Sequence, residues 1–244
     1  MMSSPIPLLT VVVSYLFFLK IGTRLMKNRP PLHLTKIVSY YNAGMSSPRL
    51  VTSGIERLGG ISKFQPGNKP PRSYLKIHYL KIQILFQLLD LGWWYFFAKF
   101  TELLDTVFFV LRKKDKQVTF LHVYHHVIMA LYSWSYLKFA AAGDGAILAL
   151  LNSLVHVVMY SYYFLSGLGP KFQKYLWWKK YVTKMQLSQF VLMLVYCVWT
   201  YFSPKCQYSA GFTYFISLNV VVFLMNKKIN FPQFFTKVWN GVSR

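Results

Sequence analysis

An all-α membrane protein with about six transmembrane helices is the fold class that this 244-residue sequence predicts. Three observations carry it. Hydrophobic residues make up 55% of the chain and aromatic residues 19%, while only six acidic residues stand against 28 Lys and Arg, a balance foreign to soluble globular domains. The apolar residues gather into runs near the ~20 residues that cross a hydrocarbon core as a helix, the one open-ended element whose backbone groups are satisfied there. The cations sit at the ends of those runs, as the positive-inside pattern places them, so the formal charge of +22 argues for membrane orientation and against nucleic acid as a partner.

The first run, 6–21, has no basic segment before it and no small-residue cleavage site after it, and Lys20, Arg24, Lys27, Arg29 and Lys36 follow closely. It reads as an uncleaved anchor with its exit in the cytosol. The stretch 43–80, "NAGMSSPRLVTSGIERLGGISKFQPGNKPPRSYLK" and its flanks, is rich in Pro, Gly, Ser and basic residues and reads as a loop or disordered segment. The second run, 86–111, is followed by Arg112, Lys113, Lys114 and Lys116, which again places its exit in the cytosol. Two successive cytosolic exits require a crossing between them, which 43–80 does not supply. The remaining runs are 119–140, 146–168, 181–202 and 210–225, and the chain reads as a single membrane domain over 1–244.

The chemistry-bearing residues lie inside these runs. "TFLHVYHHVIMALY", 119–132, carries His122, His125 and His126 at helical steps of three and four, so the rings share one face. "KFTELLDTVFFVLRKK", 99–114, holds Lys99, Glu102 and Asp105 where a charge in the bilayer costs several kcal/mol. These residues form either a structural charge cluster or a functional one, in which Asp105 accepts a ring N–H and fixes a histidine tautomer. In "LLNSLVHVVMYSYY", 150–163, Asn152, His156 and Tyr160 follow at steps of four, placing an amide, an imidazole and a phenol on one face. Gln186 and Gln189 in "YVTKMQLSQF", 181–190, serve either as glue between helices or as substrate contacts.

Four of the six histidines between residues 122 and 156 raise the question of a metal. A zinc site from His122, His126, His156 and a carboxylate fits the count, whereas a di-iron site needs more histidines than this window holds; the expectation is that no metal is bound. A proton-relay transporter is the other class, but the chain lacks paired, Gly/Pro-interrupted helices in matching halves.

The motifs "KFTELLDTVFFVLRKK", "FLHVYHH", "NSLVHVVMYSYY" and "TKMQLSQF" stand in the order and spacing of the very-long-chain fatty acid elongases. The chain resembles that family from about residue 91 to 202, with a weaker echo from "MSSPIPLL" through "LMKNRPPLHLTKIVSYYN". The resemblance implies seven helices, six of them around an acyl-binding tunnel, in the endoplasmic reticulum membrane. It implies condensation of an acyl-CoA with malonyl-CoA, with loss of carbon dioxide and CoA, to a 3-ketoacyl-CoA two carbons longer, and no cofactor beyond these substrates. Membrane lipids and the two CoA esters are then the partners, with the other enzymes of the elongation cycle and a second copy of the chain as candidate protein partners.

Carried onto matching positions, the resemblance makes His125 the acyl acceptor and His156 the residue that binds the malonyl unit, with direct attack as the alternative path. His122, His126, Asp105 and Asn152 orient this pair. Lys99, Glu102, Tyr160, Gln186 and Gln189 contact substrate, while Arg112, Lys113, Lys114, Lys179 and Lys180 meet the CoA phosphates or serve orientation alone. A thiol nucleophile is not expected, because Cys197 lies in an apolar helix and Cys206 in a loop beyond it. Val123, in "HVYHH" rather than "HWYHH", points to the branch handling longer chains. Departure from the family is concentrated in 43–80, where the second span is replaced and the tunnel wall is expected to be open, so an inactive elongase-like protein is the alternative.

Overall fold

The computed structural model describes residues 4–49, 51–52, 55, 72–140, 145–203 and 210–226, and no strand occurs among them. The chain divides into two compact units, Met1–Val182 and Thr183–Arg244.

The first unit begins with α1 (Ile6–Met26), before which the Ser4 hydroxyl accepts from the Ile6 N–H at 3.2 Å. Its buried residues Leu8, Val12, Tyr15, Leu19, Gly22 and Met26 recur at steps of four and three, one narrow stripe along the helix. Leu9, Val13, Leu16 and Phe17 on the other side are exposed, as lipid-facing residues are. Next comes α2 (Thr35–Met45), then α3 (Arg72–Thr101) and α4 (Leu103–Leu111), separated by a single turn residue at Glu102. A 3-10 turn (Asp115–Gln117) leads into α5 (Phe120–Phe139), which is followed by α6 (Gly145–Gly167) and the short α7 (Pro170–Gln173).

Three interlocked contacts hold this unit. Leu8 and Val12 of α1, Phe96 of α3 and Trp134 and Leu137 of α5 form one buried cluster. Tyr15, Leu19 and Met26 of α1 form a second with Leu103 and Val110 of α4, against which Val123 and Val127 of α5 pack. The third is α2 against α6. Gly92 lets α3 approach α5, since a Cβ there would stand 2.9 Å from Leu137 Cδ1. The second unit holds α9 (Ala210–Asn226) and most of α8 (Lys179–Phe202), with Met193, Cys197, Ile216 and Val220 buried.

Every run read as a span is helical. By length and composition, α1, α6 and α8 are long and apolar enough to cross a membrane. The run 86–111 is not one helix: the Thr101 hydroxyl bonds back to the Ala98 carbonyl at 2.8 Å, and Asp105 N–H reaches Glu102 O at 3.1 Å in an i→i+3 turn. Such back-bonding bends a helix, here where a charged residue must turn toward its partners.

The loop reading of 43–80 is corrected in part. Residues 43–45 close α2, positions 49, 51–52 and 55 are helical, and α3 already begins at Arg72. The physical reason is legible: Pro71 precedes a segment, "RSYLKIHYLKI", whose apolar residues recur at helical spacing, and proline is favoured at a helix start. Residues 50, 53–54 and 56–71 lie outside the described residues. The 11 residues of α2 reach about 16 Å, roughly half a hydrocarbon core.

Candidate active site

The site is built on one face of α3 and α4. Tyr95, Lys99, Glu102 and Thr106 follow at steps of four, three and four, and all four are buried. Lys99 and Glu102, each 2% exposed, form an ion pair with Nζ to Oε1 at 2.7 Å. The same carboxylate oxygen lies 3.0 Å from Nδ1 of His156 on α6. Lys99 Nζ also stands 3.4 Å from Nε2 and 3.5 Å from Nδ1 of that ring, and 5.2 Å from the centre of the Tyr95 ring. Three charged or ionisable groups from two helices thus close on one another where water is scarce, the condition under which a buried charge is tolerated.

The second oxygen of Glu102 points to the histidine box on α5. Oε2 lies 4.0 Å from His126 Nδ1, and these two buried atoms have no hydrogen-bond partner. His126 stacks between its neighbours, with ring centres 4.3 Å from His122 and 5.6 Å from His125. The box is held at the start of α5 because Thr119 caps the helix, its hydroxyl accepting from the His122 backbone N–H at 3.2 Å. All three histidines therefore sit in the first two turns, and the sequence-predicted shared face is present.

Asp105 and Asn152 find partners other than histidine. Tyr160 donates to Asp105 Oδ2 at 2.5 Å, and Tyr41 of α2 packs edge-on against Tyr160 with ring centres 6.1 Å apart. Tyr95 donates to Asn152 Oδ1 at 3.1 Å. The carboxylate that orients a histidine is thus Glu102 and not Asp105. Glu102, the turn residue between the two helices, directs its carboxylate toward α6 and α5, while Asp105, one turn on, meets the phenol of Tyr160. Lys99 and Glu102, read as substrate contacts, are engaged with each other and with His156 through Glu102 Oε1, while Oε2 keeps no hydrogen-bond partner.

Four participants escaped the sequence reading: Tyr15, Tyr41, Tyr95 and Thr106. Tyr95 and Thr106 had a signal, since they extend the Lys99–Glu102 face by four residues at each end. Tyr15 and Tyr41 had none, because their contacts join helices far apart in sequence. Tyr15 donates to Thr106 Oγ1 at 2.7 Å, and Thr106 Oγ1 lies 3.1 Å from His122 Nε2.

A small apolar cavity of about 30 Å³ opens between α3, α5 and α6 beside Tyr95, lined by Leu91, Gly92, Tyr136, Ala146 and Ala149 among others. The basic clusters lie at helix ends. Arg112, Lys113 and Lys114 close α4, with Lys113 Nζ donating to the Lys27 carbonyl at 3.0 Å. Burial and then the Arg112 guanidinium push the Lys114 ammonium below the ordinary lysine value, and a bound anion would oppose the second effect. Lys179 and Lys180 are exposed at the start of α8. Gln186 and Gln189 belong to the second unit, where Gln189 is buried and donates to Met193 Sδ at 3.4 Å. Cys197 is buried in α8, and Cys206 lies outside the described residues. Among the described residues, no three His, Cys, Asp or Glu side chains are arranged to hold a metal ion.

Residues 1–240 match the ELO (GNS1/SUR4) family. The chain is 40% identical over 225 residues to very long chain fatty acid elongase 7 of Drosophila melanogaster, covering 91% of this chain and 67% of that one. It is 41% identical over 237 residues to elongase 7 of Rattus norvegicus, covering 92% and 79%. To elongase 1 of Homo sapiens it is 39% identical over 210 residues, covering 85% and 73%.

Proposed function

The chain belongs to the ELO (GNS1/SUR4) family, and from that premise we propose that the Lys99–Glu102–His156 cluster and the facing histidines of α5 form the condensing site of a very-long-chain fatty acid elongase. The protein joins a long-chain acyl-CoA to malonyl-CoA and gives a 3-ketoacyl-CoA two carbons longer, with release of carbon dioxide and CoA. The observation that carries this reading is the carboxylate shared by two helices: Glu102 holds His156 at 3.0 Å and faces His126 at 4.0 Å, inside a set of apolar helices.

A ring nitrogen of neutral His125 attacks the thioester carbonyl of the acyl-CoA; the C–S bond breaks, the acyl-imidazole forms, and the proton shed by the other ring nitrogen goes to the sulfur, so that CoA leaves as its thiol. Malonyl-CoA then loses carbon dioxide, the resulting enolate carbon attacks the acyl carbon, the C–N bond to His125 breaks, and the departing imidazole takes up one proton from water. With Nδ1–H of His156 donated to Glu102, the carboxylate fixes the ring beside the Lys99 ammonium, where His156 helps to bind the malonyl unit and stabilise the enolate. His122 and His126 keep the ring order of the box, and Asn152 and Asp105, fastened to Tyr95 and Tyr160, hold α6 in register with α3 and α4.

The acyl chain runs among the apolar faces of the helices. Arg112, Lys113, Lys114, Lys179 and Lys180 meet the CoA phosphates at the cytosolic surface. Substrates are the only small molecules required. The protein resides in the endoplasmic reticulum membrane, with the other enzymes of the elongation cycle and further copies of the chain as its candidate protein partners.

Incorporation of labelled malonyl-CoA by membranes holding the chain, across acyl-CoAs of increasing length, tests the activity. Incorporation that vanishes in His125→Ala is expected, together with a mass adduct on His125 after incubation with acyl-CoA alone. The specific observation for the rival reading is the short α2: no incorporation from a folded, membrane-inserted chain would make it an inactive elongase-like protein, and incorporation without an adduct would favour direct attack.

A further inference from the structure

Two hydroxyls and an imidazole from three helices make a chain, of which the reaction above uses only the imidazole, His122. Tyr15 is buried in the stripe of α1 that packs on α4, and its hydroxyl meets Thr106 Oγ1, 91 residues away in sequence, at 2.7 Å. Thr106 is fully buried, and its Oγ1 lies 3.1 Å from Nε2 of His122. The phenol is the more acidic of the two hydroxyls, so it donates and the threonine oxygen accepts. With the phenol donating to Oγ1, the one Thr106 proton is available to Nε2, and the direction of that bond depends on the ring's tautomer. A ring whose Nε2 accepts carries its neutral-state proton on Nδ1.

We propose that Tyr15, acting through Thr106, is a positioning residue that fixes His122 in the Nδ1-protonated tautomer and so orders the rings of the condensing site. The role rests on the functional reading above. It gives α1 a second task besides anchoring. His122 packs 4.3 Å from His126, which in turn faces both His125 and Glu102, so the state of His122 sets the first position in a row of rings. Without the phenol, the Thr106 hydroxyl is free to turn its proton toward the carbonyl four residues back, as helical threonines do, and the tautomer of His122 is no longer dictated.

Tyr15→Phe removes only the hydroxyl and keeps the ring among Leu19, Met26, Leu103 and Val110. The test uses the full chain labelled with nitrogen-15 histidine in lipid nanodiscs, with the His122 signals identified by their loss in His122→Gln. The expected result is an unprotonated Nε2 and a protonated Nδ1 at His122 in the unaltered chain, and a mixture of tautomers in Tyr15→Phe and in Thr106→Val. The double variant should go no further than Thr106→Val alone. In turnover, Tyr15→Phe should lower kcat about tenfold, the scale of lost supporting contacts, with KM for acyl-CoA and the melting temperature within the wild-type range. Unmoved His122 signals in Tyr15→Phe, a protonated Nε2 in the unaltered chain, or additive effects in the double variant would overturn the proposal. The nitrogen spectra are read without turnover, so absence of malonyl incorporation with the expected tautomer pattern would sink the functional reading alone.

Discussion

Lys99 and Lys113 are separated by 14 positions, yet the same side chain lives in opposite conditions. Lys99 is 2% exposed on α3 and spends its charge on Glu102 and the edge of His156. Lys113, just past α4, is exposed and reaches a single backbone carbonyl. Charge in the first region is tied into the packing of the helices, since each partner desolvates and compensates the other. In the second region it is screened by water and salt and acts mainly on what approaches from outside. The difference teaches that the basic character of this chain has two separate purposes, and that substitutions in the two regions should fail in different ways.

The largest effect separates the buried pair from its own halves. Glu102→Gln leaves Lys99 as a buried cation without its carboxylate and releases His156, so condensation should fall by roughly a hundredfold or more. The folded state should lose about 3–5 kcal/mol. Lys99→Met/Glu102→Leu removes both charges together and should regain most of that stability while remaining inactive. Denaturant or thermal unfolding beside a malonyl incorporation assay reads both quantities. A double variant as unstable as Glu102→Gln would mean that the two charges are not coupled.

How much of this was legible in advance depends on the distance over which a contact acts. The helices, the shared face of His122, His125 and His126, and the row Asn152–His156–Tyr160 follow from spacing within one helix, so the sequence reading found them. Which carboxylate meets which imidazole depends on the bend at Glu102, produced by the Thr101 back-bond and a single i→i+3 turn. No periodicity encodes that bend, and Asp105 was accordingly given the place that Glu102 holds. Tyr15 and Tyr41 were invisible for a related reason: an aromatic hydroxyl on an apolar helix looks like core until the opposing helix supplies a threonine or a second tyrosine. The start of α3 at Arg72 was hidden by the Pro- and Gly-rich composition before it.

Tyr160→Phe should have an intermediate effect. It takes a 2.5 Å hydrogen bond from the half-buried Asp105 without changing the packing of Tyr41 on the ring. Loss of one such bond to a charged group costs about 1.5–3 kcal/mol, and turnover should fall less than in Glu102→Gln because no histidine loses its partner. Equal losses in the two variants would erase the distinction drawn between the carboxylates.

At the surface, Arg112→Gln/Lys113→Gln/Lys114→Gln should raise KM for acyl-CoA severalfold and leave kcat within about twofold, because the charges meet phosphates remote from the reacting carbon. The gap between variant and unaltered chain should narrow as salt rises toward 1 M, where the screening length falls to about 3 Å. An unchanged KM would leave these cations with orientation of the chain as their sole task.

The smallest effect isolates the backbone beneath that same cluster. Lys113 adopts φ 53°, the left-handed region, and its N–H bonds the Val110 carbonyl at 3.1 Å while Lys114 N–H bonds the Phe109 carbonyl at 2.8 Å. This is the paired closure by which helices end on a left-handed residue, a position where glycine escapes the Cβ clash that every other residue bears. Lys113→Ala loses the hydrogen bond to Lys27 and keeps the strain; Lys113→Gly loses the same bond and relieves it. Glycine should therefore be the more stable of the two by about 1 kcal/mol in thermal unfolding, with both turning over at nearly the same kcat. Equal melting temperatures would mean that the end of α4 relaxes out of the left-handed conformation once the lysine is gone, and that the contact with Lys27, not the helix ending, holds the basic cluster in place.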